Sequence, residues 1–225
     1  MFQQACSAIR NAVYGIRSDT SIGNRRNVTN GTAFMVAPGI IVTAAHVIHL
    51  ESNSSNPRHN TIRAIRAPDV GQRTETAQFI AEDTIRDLAL LQIDNPRSDQ
   101  SVTLEQSVLP IGASCGSLGF PLATVDERGF HLVLRFQGAN ISAFVTATDP
   151  FGRSLSFYET DALMYKGSSG CPGFIVNGNV FGLHNISLME IPEGSRPRQT
   201  ERYAISRWVP STDIITFARD NGVVF

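Results

Sequence analysis

Short apolar runs recur along the chain, separated by clusters of turn-forming residues. β-Branched and aromatic residues fill the runs, and Gly, Pro, Asn and Asp fill the gaps, the pattern of an antiparallel β-protein. Strands are predicted near 12–17, 32–36, 40–43, 62–68, 75–80 and 88–93. A second set is predicted near 115–119, 130–137, 139–147, 155–160, 173–176, 180–184 and 202–205. Val36-Ala37-Pro38-Gly39-Ile40 reads as a hairpin. Asn177-Gly178, between Phe174-Ile175-Val176 and Val180-Phe181, reads as a stronger one, because Asn-Gly supplies the positive φ angles of a type I′ turn. Helical signals are sparse. Residues 2–10 allow a turn or two, and Ala45 to Leu50 looks like a short helix. The tail predicts a helix capped by Ser211 or Thr212, running to about Arg219 and stopped by Asn221-Gly222. The polar segments 51–60 and 94–106 read as loops, the second linking two groups of about six strands.

Composition narrows the class of function. A chain of 225 residues, 42% hydrophobic, can bury a substantial core. With 19 basic and 20 acidic residues the net charge is −1, which gives no electrostatic footprint for nucleic acid. The most apolar stretch, Ala33 to Leu50, is broken by Pro38-Gly39 and carries His46 and His49, so no membrane span is predicted. The first residues lack the basic and apolar regions of a signal peptide. The cysteines Cys6, Cys115 and Cys171 are odd in number and match no disulfide or C-x-x-C framework. They read as free thiols in a reducing cytoplasm, the alternative being a secreted form whose leader has been removed. The sequons at Asn27, Asn30, Asn53, Asn140 and Asn185 then read as chance matches.

Three local patterns carry chemistry. Thr43-Ala44-Ala45-His46 follows the apolar strand Ile40-Ile41-Val42. Asp87 stands at the mouth of the apolar run Leu88-Ala89-Leu90-Leu91. Gly167-Ser168-Ser169-Gly170-Cys171-Pro172 places a serine between glycines. Amide hydrolysis needs a nucleophile, a base that takes its proton, and a group that orients the base. A buried carboxylate on the second ring nitrogen fixes the imidazole tautomer. A developing oxyanion needs preorganised N–H donors, and flanking glycines permit the tight loop that aims them.

With these motifs the chain resembles the trypsin-like serine peptidases of the chymotrypsin fold, nearest in flavour to HtrA/Deg-type protease domains. The resemblance covers roughly residues 12–210. It rests on Gly31-Thr32-Ala33-Phe34-Met35-Val36, Ile41-Val42-Thr43-Ala44-Ala45-His46-Val47, Asp87-Leu88-Ala89-Leu90-Leu91 and Gly119-Phe120-Pro121. It continues in Thr160-Asp161-Ala162, Gly167-Ser168-Ser169-Gly170, Val180-Phe181-Gly182-Leu183-His184 and Tyr203-Ala204-Ile205. It implies an all-β fold of two six-stranded antiparallel barrels with the active site between them and a short C-terminal helix. The expected divisions are an N-terminal segment 1–11, barrels over 12–100 and 101–210, and a helical tail 211–225. The implied activity is endopeptidase hydrolysis of a polypeptide substrate, with no cofactor, no metal, no nucleic acid and no membrane partner. Ser169 is then the nucleophile, His46 the base and Asp87 the orienter. The N–H groups of Gly167 and Ser169 form the oxyanion hole. The rivals are a catalytically silent peptide-binding relative and a processing module restricted to one partner protein.

Each residue has a competitor. His49 lies one turn beyond His46 without the preceding Thr-Ala-Ala. Asp83 and Asp94 read as solvated loop charges, and Ser168 falls outside the Gly-x-Ser-Gly frame. Cys171 sits two positions past the nucleophile slot and reads as core, as does Cys115. Lys166 reads as a solvated loop charge. Trypsin-type zymogens pair a new N-terminus with an aspartate just before the nucleophile. Ser168 occupies that position, so maturation by that route is not expected, and with the sequence ending at Phe225 a following PDZ domain is not expected either. The specificity pocket is expected to draw on Leu163, Met164 and Tyr165 on one side and Leu183-His184-Asn185-Ile186-Ser187 on the other. No aspartate stands at its base, which argues against Lys or Arg selection. His184 falls where glutamyl endopeptidases and picornaviral main proteases place a histidine that reads acidic or amide side chains. The competing reading is a half-buried wall residue beside a pocket for medium apolar side chains.

Overall fold

Two of the apolar runs do not alternate with polar residues, because their strands are covered on both faces. Ile40–Ala44 and Leu88–Ile93 are almost wholly buried. The structure is a computed structural model that describes residues 1–66, 74–94, 96, 101–122, 124–126, 129–148, 152–190 and 201–225. Strands β1 (Val13–Ile22), β2 (Arg25–Ala37), β3 (Ile40–Ala44), β4 (Thr61–Arg66), β5 (Thr74–Asp83) and β6 (Leu88–Ile93) close an antiparallel barrel in the order β1-β2-β3-β6-β5-β4. After β7 (Ser114–Gly119) comes a small hairpin, β8 (Thr124–Asp126) with β9 (Gly129–His131). Then follow β10 (Arg135–Thr148), β11 (Ser154–Thr160), β12 (Pro172–Ile175), β13 (Val180–Glu190) and β14 (Glu201–Pro210). These five and β7 close the second barrel as β10-β11-β14-β13-β12-β7. Helix α1 (Gln3–Ile9) precedes the barrels and α2 (Ser211–Asp220) follows them. The chain thus adopts the expected two six-stranded antiparallel barrels with a short C-terminal helix, and closure leaves few strand edges exposed.

The larger apolar cluster fills the first barrel and continues through α1, α2 and the junction, where Phe120, Phe174, Leu183 and Val209 join it. A smaller cluster of Cys115, Ile141, Tyr158, Met164, Cys171, Phe181 and Trp208 fills the second barrel. Its polar atoms are paired: Trp208 Nε1 donates to Thr160 Oγ1 at 2.9 Å, and Tyr158 Oη accepts the Leu109 N–H at 3.0 Å. Among the described residues no helix is long and apolar enough to cross a membrane.

Several local expectations are corrected. Residues 135–148 form one strand, where separate strands near 130–137 and 139–147 were expected on either side of Gly138. Gly138 pairs with Gly116, and the Phe136 ring of the same strand covers both. The strand expected over 62–68 is described over Thr61–Arg66, and its last two positions lie outside the described residues. The Asn177-Gly178 turn is not type I′, because only Gly178 has a positive φ, at 92°. Gly178 N–H bonds Ile175 O and Ile175 N–H bonds Asn179 O, a type I turn followed by a glycine bulge. Ser211 does not cap α2. Pro210 holds that position, and Ser211 Oγ donates to the Glu105 carbonyl. The expected stop is present: Gly222 N–H bonds Arg219 O and Val223 N–H bonds Ala218 O, with Gly222 at φ 81°. The segment 101–106 is no free loop. Val102 and Leu104 are buried, and Leu104 bridges Val180 in the second barrel.

Candidate active site

His46 and Asp87 are brought together by strand pairing. Ala44, at the end of β3, lies opposite Leu88, at the start of β6, so the residues just beyond that rung leave the barrel side by side. The chain then makes a 3-10 turn over Ala45–Ile48. Ala45 N–H donates to Asp87 O at 3.0 Å, and His46 N–H donates to Asp87 Oδ1 at 2.8 Å. His46 Nδ1 meets Asp87 Oδ2 at 2.6 Å. An ionised carboxylate only accepts, so the proton sits on Nδ1 and the Nε2 lone pair is left for a nucleophile. Asp87 takes φ 59°, a left-handed conformation that aspartate tolerates better than most residues. Its side chain is 13% exposed and that of His46 21% exposed.

The competitors are engaged elsewhere. His49 Nδ1 meets the Asn56 carbonyl at 2.5 Å and its Nε2 meets Glu82 Oε2 at 2.7 Å, so neither nitrogen is available. Asp83 accepts the Ile85 and Arg86 N–H groups and the Arg86 guanidinium. Burial pushes its carboxyl up, but these donors outweigh burial and hold it below the usual range. Asp94 is exposed.

The serine loop is held carbonyl by carbonyl. Lys166 O accepts Leu122 N–H at 2.8 Å, and Gly167 O accepts Thr32 Oγ1 at 2.8 Å. Ser168 O accepts Cys171 N–H at 2.9 Å, and Ser169 O accepts Thr32 N–H at 2.8 Å. A trans peptide points its N–H opposite to its C=O. Anchoring Lys166 O and Ser168 O therefore turns the N–H groups of Gly167 and Ser169 away from the anchors. Among the described residues neither N–H donates to a protein acceptor, and both residues line the cleft. The loop needs its glycines: at Gly167, φ 94°, a Cβ would stand 2.4 Å from Phe120 O, and at Gly170, φ 84°, it would stand 2.0 Å from Thr32 O. Ser168 is buried, with no partner for its hydroxyl among the described residues. Cys171 is wholly buried and its thiol is pushed up by that burial, so it offers no thiolate.

His46, Asp87, Gly167 and Ser169 share one cleft of about 900 Å³. Among the described residues no hydrogen bond joins His46 to Ser169, a contact that in unliganded hydrolases commonly tightens only with substrate. Met164, His184, Asn185, Ile186 and Ser187 also line the cleft. Leu163 is not among the residues lining the cleft; its carbonyl accepts Gln137 Nε2 at 2.8 Å. Ser187 Oγ donates to Met164 O at 3.2 Å, tying the two pocket walls together. His184 is 3% exposed and packs edge-on to Trp208, with ring centroids 5.1 Å apart. Among the described residues neither ring nitrogen completes a hydrogen bond, although the Ser168 carbonyl lies nearby. Burial, then the proximity of His46, lowers its pKa to about 3, so the imidazole is neutral. Sequence reasoning missed Leu122, which lines the cleft at φ 60° just after the Gly119-Phe120-Pro121 motif. It also read Lys166 as a solvated loop charge, whereas Lys166 is exposed but on the cleft rim.

Comparison with known proteins places this geometry in context. Residues 31–183 match the model of the trypsin-like peptidase domain. The serine protease Do-like HtrA of Lactobacillus helveticus is 26% identical over 223 residues, covering 95% of this chain and 48% of that protein. The periplasmic serine endoprotease DegP of Salmonella typhimurium is 26% identical over 168 residues, covering 73% of this chain and 30% of that protein. The chain thus spans no more than about half the length of these curated relatives. The crystal structure of the Rv3671c protease from M. tuberculosis, in its active form, superposes with a TM-score of 0.69 at 19% identity. It covers 98% of this chain and 85% of that one, a likeness of fold.

Proposed function

The chain belongs to the trypsin-like peptidase domain family, and from that premise we propose that it is a serine endopeptidase acting on polypeptides through Ser169, His46 and Asp87. The observation that carries the reading is the double grip of Asp87 on His46, at Nδ1 and at the backbone N–H, on the cleft that Ser169 lines. In the proposed reaction Ser169 Oγ attacks the scissile carbonyl carbon while His46 Nε2 takes the hydroxyl proton. The carbonyl oxygen becomes an oxyanion received by the Gly167 and Ser169 N–H groups. Collapse of the tetrahedral intermediate breaks the C–N bond, and the imidazolium returns its proton to the leaving amine. Water, deprotonated by the same nitrogen, then attacks the acyl-Ser169 ester. Release of the carboxylic acid restores the serine hydroxyl.

The pocket favours uncharged side chains at the cleaved bond. Met164 and Ile186 supply apolar contact, and the neutral His184 carries one ring N–H for a glutamine oxygen but no charge to neutralise a glutamate. A fluorophosphonate probe tests the nucleophile: labelling present in the wild type and lost in Ser169→Ala is expected, and an unlabelled, folded wild type would sink the assignment. A fluorogenic peptide library tests the pocket, with Leu, Met or Gln preferred; faster cleavage after Glu would overturn that preference. Casein cleavage separates a general endopeptidase from a module restricted to one partner.

A further inference from the structure

We propose that Thr32, contributed by the first barrel, is a positioning residue for the oxyanion hole in the second. The inference rests on Gly167 and Ser169 being the oxyanion donors. Thr32 is fully buried on β2 and is bonded through every polar atom it has. Its hydroxyl donates to Gly167 O at 2.8 Å and accepts Phe120 N–H at 3.1 Å. A carbonyl only accepts and an amide N–H only donates, so both neighbours dictate the same hydroxyl orientation. Its backbone N–H holds Ser169 O at 2.8 Å, and its carbonyl receives Thr43 Oγ1 at 2.7 Å, three residues before His46.

The hydroxyl therefore reaches the oxyanion donors by two routes. It fixes the Gly167–Ser168 peptide directly through Gly167 O. It also fixes the turn Phe120-Pro121-Leu122 through the Phe120 N–H, and that turn supplies the Leu122 N–H that anchors Lys166 O. Lys166 O belongs to the peptide whose N–H is the Gly167 donor. The turn and the loop are pressed together, as the Phe120 carbonyl leaves no space for a Cβ at Gly167. Losing the hydroxyl leaves a buried N–H and a buried C=O facing each other unpaired, and the loop is the part free to move.

Thr32→Val keeps the shape and removes the hydroxyl. Its kcat on a fluorogenic peptide is expected to fall on the order of 100-fold, the scale of one lost oxyanion donor, with KM changed by less than about threefold. Thr32→Ser should recover to within about fivefold of the wild type. Should the valine variant not fold, Thr32→Ala, which leaves room for a bridging water, should still lose about tenfold. Hydrogen exchange supplies a readout independent of turnover. The Ser168, Gly170 and Cys171 amides should exchange about tenfold faster in the variant, while Val42 and Leu90 in the first barrel keep their protection. Wild-type kcat in Thr32→Val with unchanged exchange at 168–171 would overturn the proposal. If the wild type lacks turnover altogether, the peptidase reading fails, and the exchange comparison alone still decides whether Thr32 holds the loop.

Discussion

Asp87→Asn isolates what the carboxylate does for His46. Asparagine is nearly isosteric and tolerates the φ of 59° at this position, so the backbone is expected to stay in place. The two groups facing it are not equivalent. His46 N–H is a permanent donor 2.8 Å from Oδ1, and Nδ1 lies 2.6 Å from Oδ2. The amide oxygen must turn to the backbone N–H, which leaves its NH₂ facing Nδ1. Nδ1 must then accept, the ring proton moves to Nε2, and the nitrogen that should deprotonate Ser169 is blocked. Restoring the useful tautomer requires flipping the amide and setting two donors against each other, at a cost of about 1–3 kcal/mol. Loss of the charge-assisted bond that stabilises the imidazolium adds about 1.5–3 kcal/mol. At about 1.4 kcal/mol per decade the sum predicts a fall in kcat/KM of roughly 10²–10⁴-fold. The assay is peptide turnover beside the rate of fluorophosphonate labelling, with circular dichroism to show a folded variant. A folded Asp87→Asn protein within tenfold of the wild-type rate would refute the tautomer argument.

Four further outcomes are expected. His184 is neutral when folded down to about pH 3, whereas unfolded it takes a proton near its ordinary value of 6.5. Its contribution is therefore intact above pH 6.5 and is lost at about 1.4 kcal/mol per unit below it; thermal unfolding of wild type and His184→Leu from pH 7 to 4 should show a shallower slope in the variant. Gly170→Ala sets a Cβ 2.0 Å from Thr32 O at φ 84°, for a combined cost of about 2–5 kcal/mol and loss of probe labelling. Gly222→Ala, equally left-handed but in open space, should unfold only a few degrees early and label normally. Burial pushes the Cys115 thiol up to about 12 and raises Cys171 as well, so mass spectrometry after alkylation at pH 8 should find both unmodified until denaturant is added.

The proposed reacting residues stand out in the sequence because each sits at a break between an apolar run and a polar turn, a boundary that one dimension displays. His46 follows the end of β3, Asp87 precedes β6, and Ser169 lies between glycines whose space is taken by Phe120 O and Thr32 O. What the sequence could not display depends on partners far along the chain. The expected strands stopped on either side of Gly138 because its support is a ring two residues away and a glycine across the sheet. Thr32 read only as part of a predicted strand and of a motif carrying the family resemblance, since nothing local announces a hydroxyl bonded to residues 120 and 167. Leu163 was expected in the pocket from its place in the sequence, which does not announce that its carbonyl is held by Gln137. The burial of Val102 and Leu104 was readable: Ser101-Val102-Thr103-Leu104-Glu105 alternates with period two, a signal obscured by the polar residues before it.

The division of groups between the barrels has a consequence for the life of the chain. Synthesis delivers the N-terminal half first, and that half carries both His46 and Asp87, whose contact is set by the pairing of β3 and β6. The proposed nucleophile arrives with the second half, and its loop takes shape only when Thr32 of the earlier half is there to receive it. A nascent or half-folded molecule therefore lacks a working hydrolytic centre. Competence appears only at the last docking event, so the molecule is disarmed while its own unfolded segments are most open to attack.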